Sequence, residues 1–346
     1  MNPPETAHRR VDRLTGRSVL VASERSRRPI VSKAISTGPP EAAFDPFLEG
    51  HESETPDERL ALRRADSIAN QPGWLVRVVA NRFSAVSDLV VEPNGRSTGG
   101  VHDVVIECPD KRTQMAELST SEVGRVLEAW QRRIVALRAT AGVESIHVFR
   151  NEGAAAGASL PHCHSQILAT SFVPDGVARA VNAARDFSAE DSTSLYRSWL
   201  DDELTKSQRV VASTDSLAVV CPFASRMSWQ ARICPRRADD FDFGCVNEDV
   251  LLQISANLLA IVRGSTERRF ADWNLVLTLG SVKQPLPWMI DVMPRTARLA
   301  GFELSTDAEI VTVAAETAAE TYRRDWQLPQ IGDAERAPPG FAWQSD

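Results

Sequence analysis

The stretch Asn151-Glu-Gly-Ala-Ala-Ala-Gly-Ala-Ser-Leu-Pro-His-Cys-His-Ser-Gln166 carries most of the information in this chain. It lies between two strand-like segments, SIHVFRN (145–151) and HSQILATSF (164–172). From Gly153 to Ser159 the intervening loop contains only glycine, alanine and serine. Small residues let backbone N–H groups come close to a ligand, as a phosphate-binding loop requires. The sequence therefore predicts a loop of this kind between two strands.

His162, His164 and Gln166 alternate at the start of the second strand. Because successive side chains of a strand point to opposite faces, these three share one face. Such a histidine pair is often purely structural, and it is also a common metal-ligand pair. A third interpretation is covalent catalysis, since a neutral imidazole attacks phosphorus and leaves readily again. Covalent catalysis needs donors that hold phosphoryl oxygens, for which Ser159 and Gln166 are candidates.

Short strands alternate with single helices in both halves of the chain. Ser119 and Glu122 form a capping-box pattern ahead of apolar residues at helical spacing: Val123, Val126, Leu127, Trp130, Ile134 and Leu137. A second helix is indicated by Val250, Leu251, Ile254, Leu258 and Ile261. Aligning Pro109 with Pro235, and His162 with Pro287, gives an offset of about 125 residues. We therefore predict an α+β fold with antiparallel sheets, built from two copies of one unit.

Composition limits the classes of function. The chain has 346 residues and a net charge of −7, which argues against a nucleic-acid-binding surface. No apolar run approaches the roughly 20 residues of a membrane helix, and the N-terminus lacks the apolar region of a signal peptide. Five cysteines form no CxxC pair, which fits a reduced cytoplasmic protein. We expect no nucleic-acid or membrane partner and a cytoplasmic location.

The stretch from 151 to 166 resembles the active-site segment of the galactose-1-phosphate uridylyltransferases, within the histidine-triad superfamily. It is especially similar to the ADP-glucose phosphorylase branch. Further resemblance lies in RVDRLTGRSVLVASERSRRP (10–29), VVANRFSAV (78–86), GVHDVVIECPD (100–110) and PRTARLAGFELST (294–306). The resemblance implies two histidine-triad-like repeats, each an antiparallel sheet with a packed helix. It implies an extended arm (1–58), a first repeat with the catalytic HxHxQ (59–174), a connector (175–207), a second repeat (208–330) and a tail (331–346).

The resemblance also implies roles for individual residues. His164 would attack the α-phosphorus and hold the nucleotidyl group, and the backbone carbonyl of His162 would orient its imidazole. Gln166 would bind a phosphoryl oxygen, while the departing phosphate would meet Asn151 and the loop residues Gly157 and Ser159. Arg25 and Arg28 would reach phosphates from the other subunit of a homodimer. Asn81 and Phe83 would lie along the nucleotide, and Glu303 would belong to the acceptor loop.

The chain departs from the family where many relatives bind zinc. Cysteine and histidine ligands of relatives are replaced in Asp45-Pro46-Phe47-Leu48, in Pro109-Asp110-Lys111 and in Pro287-Trp288-Met289. Since zinc sites need three or four sulfur or nitrogen ligands, we expect no zinc and no required cofactor. Asp45 and Lys111 could form an ion pair in its place, or could be unrelated surface charges. Asp307 adds a carboxylate near the acceptor loop, which would weaken phosphate binding.

The resemblance implies a ping-pong transfer from a nucleoside-diphosphate sugar through His164. The family default is uridylyl transfer from UDP-glucose to a hexose 1-phosphate. Adenylyl transfer to inorganic phosphate, as in ADP-glucose phosphorylase, is the alternative. A nucleotide-sugar-binding protein that has lost catalysis is a rival hypothesis, and a hydrolase in which water replaces the acceptor is another.

Overall fold

The computed structural model describes residues 7–23, 44–187, 193–237, 240–267, 270–298 and 300–325. The strands are β1 (His8–Val11), β2 (Ser18–Val21), β3 (Glu58–Arg63), β4 (Trp74–Ala80), β5 (Val90–Val91), β6 (Ser97–Thr98), β7 (Gly100–Ile106), β8 (Ser145–Glu152), β9 (His164–Thr170), β10 (Val210–Ser213), β11 (Leu217–Val220), β12 (Ala231–Pro235), β13 (Trp273–Gly280), β14 (Pro285–Pro294) and β15 (Glu309–Val311). The helices are α1 (Thr120–Arg138), α2 (Asp175–Phe187), α3 (Thr193–Lys206), α4 (Glu248–Glu267), α5 (Gly301–Thr306) and α6 (Ala315–Asp325). The predicted α+β class is confirmed.

One ten-stranded sheet dominates the structure, in the order β10-β11-β12-β14-β13-β8-β9-β7-β4-β3. Every neighbouring pair in it is antiparallel. Each half of five strands has the same internal order, with its fourth strand in sequence at the centre of the sheet. These fourth strands, β8 and β13, pair with each other. The two sheets that the sequence suggested are thus halves of one continuous sheet.

The main core lies between one face of this sheet and helices α1 and α4. Helix α1 begins where the sequence predicted, because the Ser119 hydroxyl accepts the N–H of Glu122 and the Glu122 carboxylate accepts the N–H of Ser119. The apolar residues that recur at helical spacing in α1 are buried, including Trp130, whose indole N–H donates to the Ser165 hydroxyl at 2.8 Å, whereas Val135 is exposed. Helical spacing in the sequence therefore identified the face of α1 that packs on the sheet.

The opposite face of the sheet is covered at both ends and partly exposed in the middle. At one end Phe47, from the segment before β3, packs with Val79, Val104 and Ile106. At the other end α3 and the arm pack on β11, β12 and β14, through Leu14, Tyr196, Trp199, Cys234 and Met289. Between them β8, β9 and β13 present partly exposed residues: Phe149, Asn151, Gln166, Val276 and Thr278. This central face is the place where a ligand can reach the sheet.

Several elements were not anticipated in the sequence. Strand β3 was not predicted, and the segment expected to connect the repeats contains α2 and α3. The arm forms β1 and β2, and β2 pairs in parallel with β15 near the end of the described chain. Among the described residues, no helix has the length and apolar character needed to cross a membrane. The domain boundaries given above stay predictions.

Candidate active site

His164 is the first residue of β9 and lies on the central face. Its Nδ1–H donates to the backbone carbonyl of His162 at 2.7 Å, which is the hydrogen bond that the resemblance implied. This bond fixes the tautomer, so the lone pair is on Nε2. Burial lowers the pKa of His164 to about 4, while the His162 carbonyl opposes that shift. The side chain is therefore a neutral, oriented imidazole near pH 7, as a nucleophile must be.

His162 is held on both sides of its ring. Its Nδ1 lies 2.8 Å from the Oδ2 atom of Asp45, and its Nε2 lies 2.9 Å from the backbone carbonyl of Cys108. Both partners are hydrogen-bond acceptors, so each one is suited to an N–H group of the ring. The ring of Phe47 packs edge-on against His162 and also contacts His164. These contacts fasten the segment 45–47 to the active-site strand.

The suggested ion pair between Asp45 and Lys111 is wrong. The Asp45 carboxylate is engaged by His162 through Oδ2 and by the N–H of Phe47 through Oδ1, whereas Lys111 is exposed. Two vacated ligand positions need not face each other, because each ligand of a metal contacts the ion and not the other ligands. Asp45 instead contacts His162, the one histidine that remains of the ligand positions implied by the resemblance.

Gln166 is oriented by a residue that the sequence analysis missed, His102 on β7. The N–H of Ala85 donates to Nδ1 of His102 at 3.0 Å, so the proton of the neutral ring is on Nε2. That Nε2–H donates to the Oε1 atom of Gln166 at 2.8 Å. The NH₂ group of Gln166 has no partner among the described residues and remains available as a donor. In the pairing of β7 with β9, Val104 lies opposite Gln166. His102 is two residues before Val104, so its side chain is on the same face of the sheet as Gln166.

Asn151 is oriented in the same way, by Asn274 from the second half of the chain. The Nδ2 of Asn274 donates to the carbonyl of Ala156 at 2.9 Å and to the Oδ1 atom of Asn151 at 2.8 Å. The NH₂ group of Asn151 is consequently left as a donor. Asn274 lies opposite Asn151 across the pairing of β8 with β13. The two asparagines meet through the register of the fourth strands of the two halves, which the sequence alone does not reveal.

The small-residue loop is also fastened from the second half. The Asp272 carboxylate accepts the N–H of Ala155 at 2.6 Å. A Cβ at Gly153, where φ is +83°, would lie 2.2 Å from that carboxylate, so this position requires glycine. Gly157, at φ +89°, and Ser159 are exposed at the far side of the loop.

Of the other predicted residues, only Asn81 contacts this cluster among the described residues, with its Nδ2 atom 3.2 Å from Nε2 of His102. Arg25 and Arg28 fall outside the described residues. Phe83 is 86% exposed, and its N–H donates to the side chain of Asn81. The Glu303 carboxylate accepts the N–H of Ala300 and caps α5. No hydrogen bond of the described residues links Glu303 to His164, Gln166 or Asn151.

The charge of Asp307 is compensated. Its carboxylate pairs with Arg17 at 3.0 Å and with Arg179 at 3.2 Å. The carboxylate that was expected to weaken phosphate binding is therefore balanced by two guanidinium groups, and the objection to a phosphate acceptor loses its force.

The described part of the chain contains no group of three or more His, Cys, Asp or Glu residues that could hold a metal ion.

Comparisons with known proteins identify relatives of this chain. Residues 93–174 match the galactose-1-phosphate uridyl transferase N-terminal domain. ADP-glucose phosphorylase of Arabidopsis thaliana is 27% identical over 333 residues, which cover 91% of this chain and 92% of that protein. Galactose-1-phosphate uridylyltransferase of Haemophilus influenzae is 26% identical over 243 residues, or 68% of this chain and 67% of its own length. The crystal structure of the Arabidopsis ADP-glucose phosphorylase with bound ADP-glucose has a TM-score of 0.77 at 24% identity, covering 92% of this chain and 99% of that one.

The antiparallel sheet, the oriented histidine and these relatives define the class of protein as a nucleotidyltransferase. The chain is similar to the galactose-1-phosphate uridylyltransferases over residues 93–174 and to ADP-glucose phosphorylase over 91% of its length.

Removing Asp45 tests how the active-site strand is fastened. We expect Asp45→Ala to lower the free energy of unfolding by about 1.5–3 kcal/mol, the range for a hydrogen bond to a charged group. Urea denaturation of Asp45→Ala, His162→Ala and the double variant should give a coupling energy above about 0.5 kcal/mol, as for residues in contact. The matched cycle of Asp45 with Lys111 should be additive. Coupling to Lys111 and none to His162 would contradict the observed geometry.

Proposed function

We propose that the chain transfers a nucleotidyl group from a nucleoside-diphosphate sugar to a phosphate-bearing acceptor through His164. The observation that carries this proposal is the neutral His164 imidazole with its Nε2 lone pair free of any partner in the described chain. Two donors flank it, because His102 and Asn274 leave the NH₂ groups of Gln166 and Asn151 uncommitted. A nucleophile between fixed neutral donors is suited to attack on phosphorus.

In the first half-reaction the Nε2 atom of His164 attacks the α-phosphorus. A P–N bond forms, the bond from the α-phosphorus to the bridging oxygen breaks, and the sugar 1-phosphate leaves with that electron pair. The NH₂ groups of Gln166 and Asn151 would hold phosphoryl oxygens as their charge changes. In the second half-reaction a phosphate oxygen of the acceptor attacks the same phosphorus, the P–N bond breaks and neutral His164 returns.

Two particular reactions are candidates. Adenylyl transfer from ADP-glucose to inorganic phosphate is favoured by the ADP-glucose phosphorylase relative, whose alignment spans 91% of this chain. Uridylyl transfer from UDP-glucose to a hexose 1-phosphate is favoured by the domain match at residues 93–174 and by the uridylyltransferase relatives. Assaying both donors with both acceptors distinguishes the two reactions.

The rival hypotheses make different demands on the site. A binding protein that has lost catalysis has no need of an oriented, neutral His164, and that arrangement is intact here. A hydrolase would release nucleoside monophosphate with no acceptor present.

We further propose that the two halves are histidine-triad-like repeats, an inference supported by their identical strand order. A homodimer and a cytoplasmic location belong to the same proposal.

Label transfer tests the nucleophile. Incubation with UDP-glucose or ADP-glucose labelled at the α-phosphate should leave label on the parent chain and none on His164→Gly. The His162→Ala variant is the matched control, and it should still take up label, more slowly, because His164 loses its anchored carbonyl and not its lone pair. Mass spectrometry of the labelled peptide identifies the modified residue. Normal exchange between nucleotide sugar and hexose 1-phosphate in His164→Gly would refute the covalent mechanism.

The low pKa of His164 gives a pH prediction. Only the neutral imidazole attacks, and neutral imidazole predominates above the pKa of about 4. The initial rate of label uptake should therefore stay constant from about pH 8 to 5 and reach half its maximum near pH 4. An ordinary histidine would already lose rate near its usual pKa of about 6.5. Circular dichroism at each pH separates protonation from unfolding, and a midpoint near 6.5 in folded protein would show that His164 is solvated.

Metal content is a separate test. We propose that no zinc is needed, because Asp45, His162 and the Cys108 carbonyl already satisfy each other. Elemental analysis should find well under one zinc per chain, and chelators should leave the melting temperature and label uptake unchanged. Stoichiometric zinc whose removal lowers the melting temperature would contradict this.

A further inference from the structure

Arg295 follows the last residue of β14 and lies on the central face beside Asn274. Its Nε–H donates to the Oδ1 atom of Asn274, and its own backbone N–H donates to the carbonyl of Asp272 at 2.8 Å. Asn274 in turn donates to Asn151 and to the loop carbonyl of Ala156. One row of contacts therefore leads from Arg295 through Asn274 to Asn151 and the small-residue loop.

The row points toward His164. Phe149 of β8 lies opposite Gln166 of β9, and Asn151 is two residues further along β8, in the direction of His164. Asn151 and Asn274 are opposite each other in the next pair of strands, and Asn274 lies opposite Met293 of β14. Residues that face each other across a sheet, and residues two apart on a strand, share a face. His164, Asn151, Asn274 and Arg295 are thus ordered across one face of the sheet.

Among the described residues, Arg295 has no carboxylate as a counter-charge. In the part of the chain that the structure describes, no carboxylate lies within ion-pair distance of it, whereas the nearby Arg226 is paired with Glu309. Burial lowers the pKa of Arg295, and the nearby charge of Arg226 lowers it further. A half-buried cation without an anion is costly unless a ligand supplies the anion. The guanidinium nitrogens beyond Nε remain available for that ligand.

We propose that Arg295 binds the phosphate group that leaves in the first half-reaction and attacks in the second. The inference rests on the proposed function, in which both half-reactions place a phosphate next to the α-phosphorus on the side away from the nucleoside. The ligand class is a phosphate monoester or inorganic phosphate, which a guanidinium contacts with two N–H groups. Asn274 positions both partners of that phosphate, Arg295 and Asn151.

Binding can be measured without turnover, in a chain that carries His164→Gly and so cannot be nucleotidylated. Inorganic phosphate and glucose 1-phosphate are titrated into this chain by calorimetry. Adding Arg295→Gln should weaken the binding of both by about 10- to 100-fold, the fold-change that a hydrogen bond to a charged group supports. The matched control is Arg263→Gln, which removes the same charge from a guanidinium bonded to the carbonyls of Ala116 and Leu118. That control should bind both ligands as the His164→Gly chain does.

The second measurement follows the acceptor. In chains with His164 intact, release of label by inorganic phosphate or glucose 1-phosphate should need a correspondingly higher acceptor concentration in Arg295→Gln. If melting temperatures show that Arg295→Gln is unfolded, Arg295→Lys takes its place, since lysine keeps the charge and loses the two-pronged contact. Asn274→Ala should weaken binding less than Arg295→Gln does, because the cation remains.

Parent-like affinity in the Arg295 variant, or no binding of either ligand to the His164→Gly chain, overturns the proposal. Failure of the proposed function is a different result, namely no label on the chain with His164 intact. In that case the phosphate titrations still decide whether Arg295 binds an anion.

Discussion

The pairing of β8 with β13 is the contact on which the central face depends. Each five-stranded half would otherwise end in an edge strand at this point, with unpaired backbone groups that invite association. In the continuous sheet the edges are β3 and β10, which are short and carry irregular register. The same pairing brings Asn274 to Asn151 and Asp272 to the small-residue loop. A loop encoded in the first half is therefore held in shape by side chains of the second half.

A second constraint is the orientation of His164, which depends on a backbone carbonyl. The His162 carbonyl accepts from Nδ1 of His164, and the His162 ring is fixed by Asp45 and by the Cys108 carbonyl. Relatives with zinc would fasten this region through a metal that several segments share. Here Asp45 and the Cys108 carbonyl fasten the region through hydrogen bonds to His162, and removing one partner leaves a buried polar group unsatisfied. Phe47 adds apolar contacts to both histidines, so the fastening segment also shields His164 from water.

Local patterns in the sequence predicted the local features of this site. The period of two predicted that His164 and Gln166 share one face of β9, with His162 just before the strand, and the capping box marked the start of α1. Partners that come from register between distant strands were missed, since neither His102 nor Asn274 is close to its amide partner in sequence. The choice of His162 over Lys111 as the partner of Asp45 was missed for a similar reason. Charge is visible in a sequence, whereas burial is not, and Lys111 stays in solvent.

The electrostatics of the face favour transfer over storage of the nucleotidyl group. In the proposed reaction the Nδ1–H of His164 stays bonded to the His162 carbonyl, so a ring that carries phosphorus on Nε2 is positively charged. Burial lowers the pKa of His164 because it disfavours a charged imidazole, and it acts in the same direction on the nucleotidylated ring. In this proposal the neutral amides of Gln166 and Asn151 would hold oxygens without adding a negative charge that would stabilise that ring. The P–N bond would therefore be labile when an acceptor arrives, and both amides would stay in place for the second half-reaction because protein contacts, not the ligand, orient them.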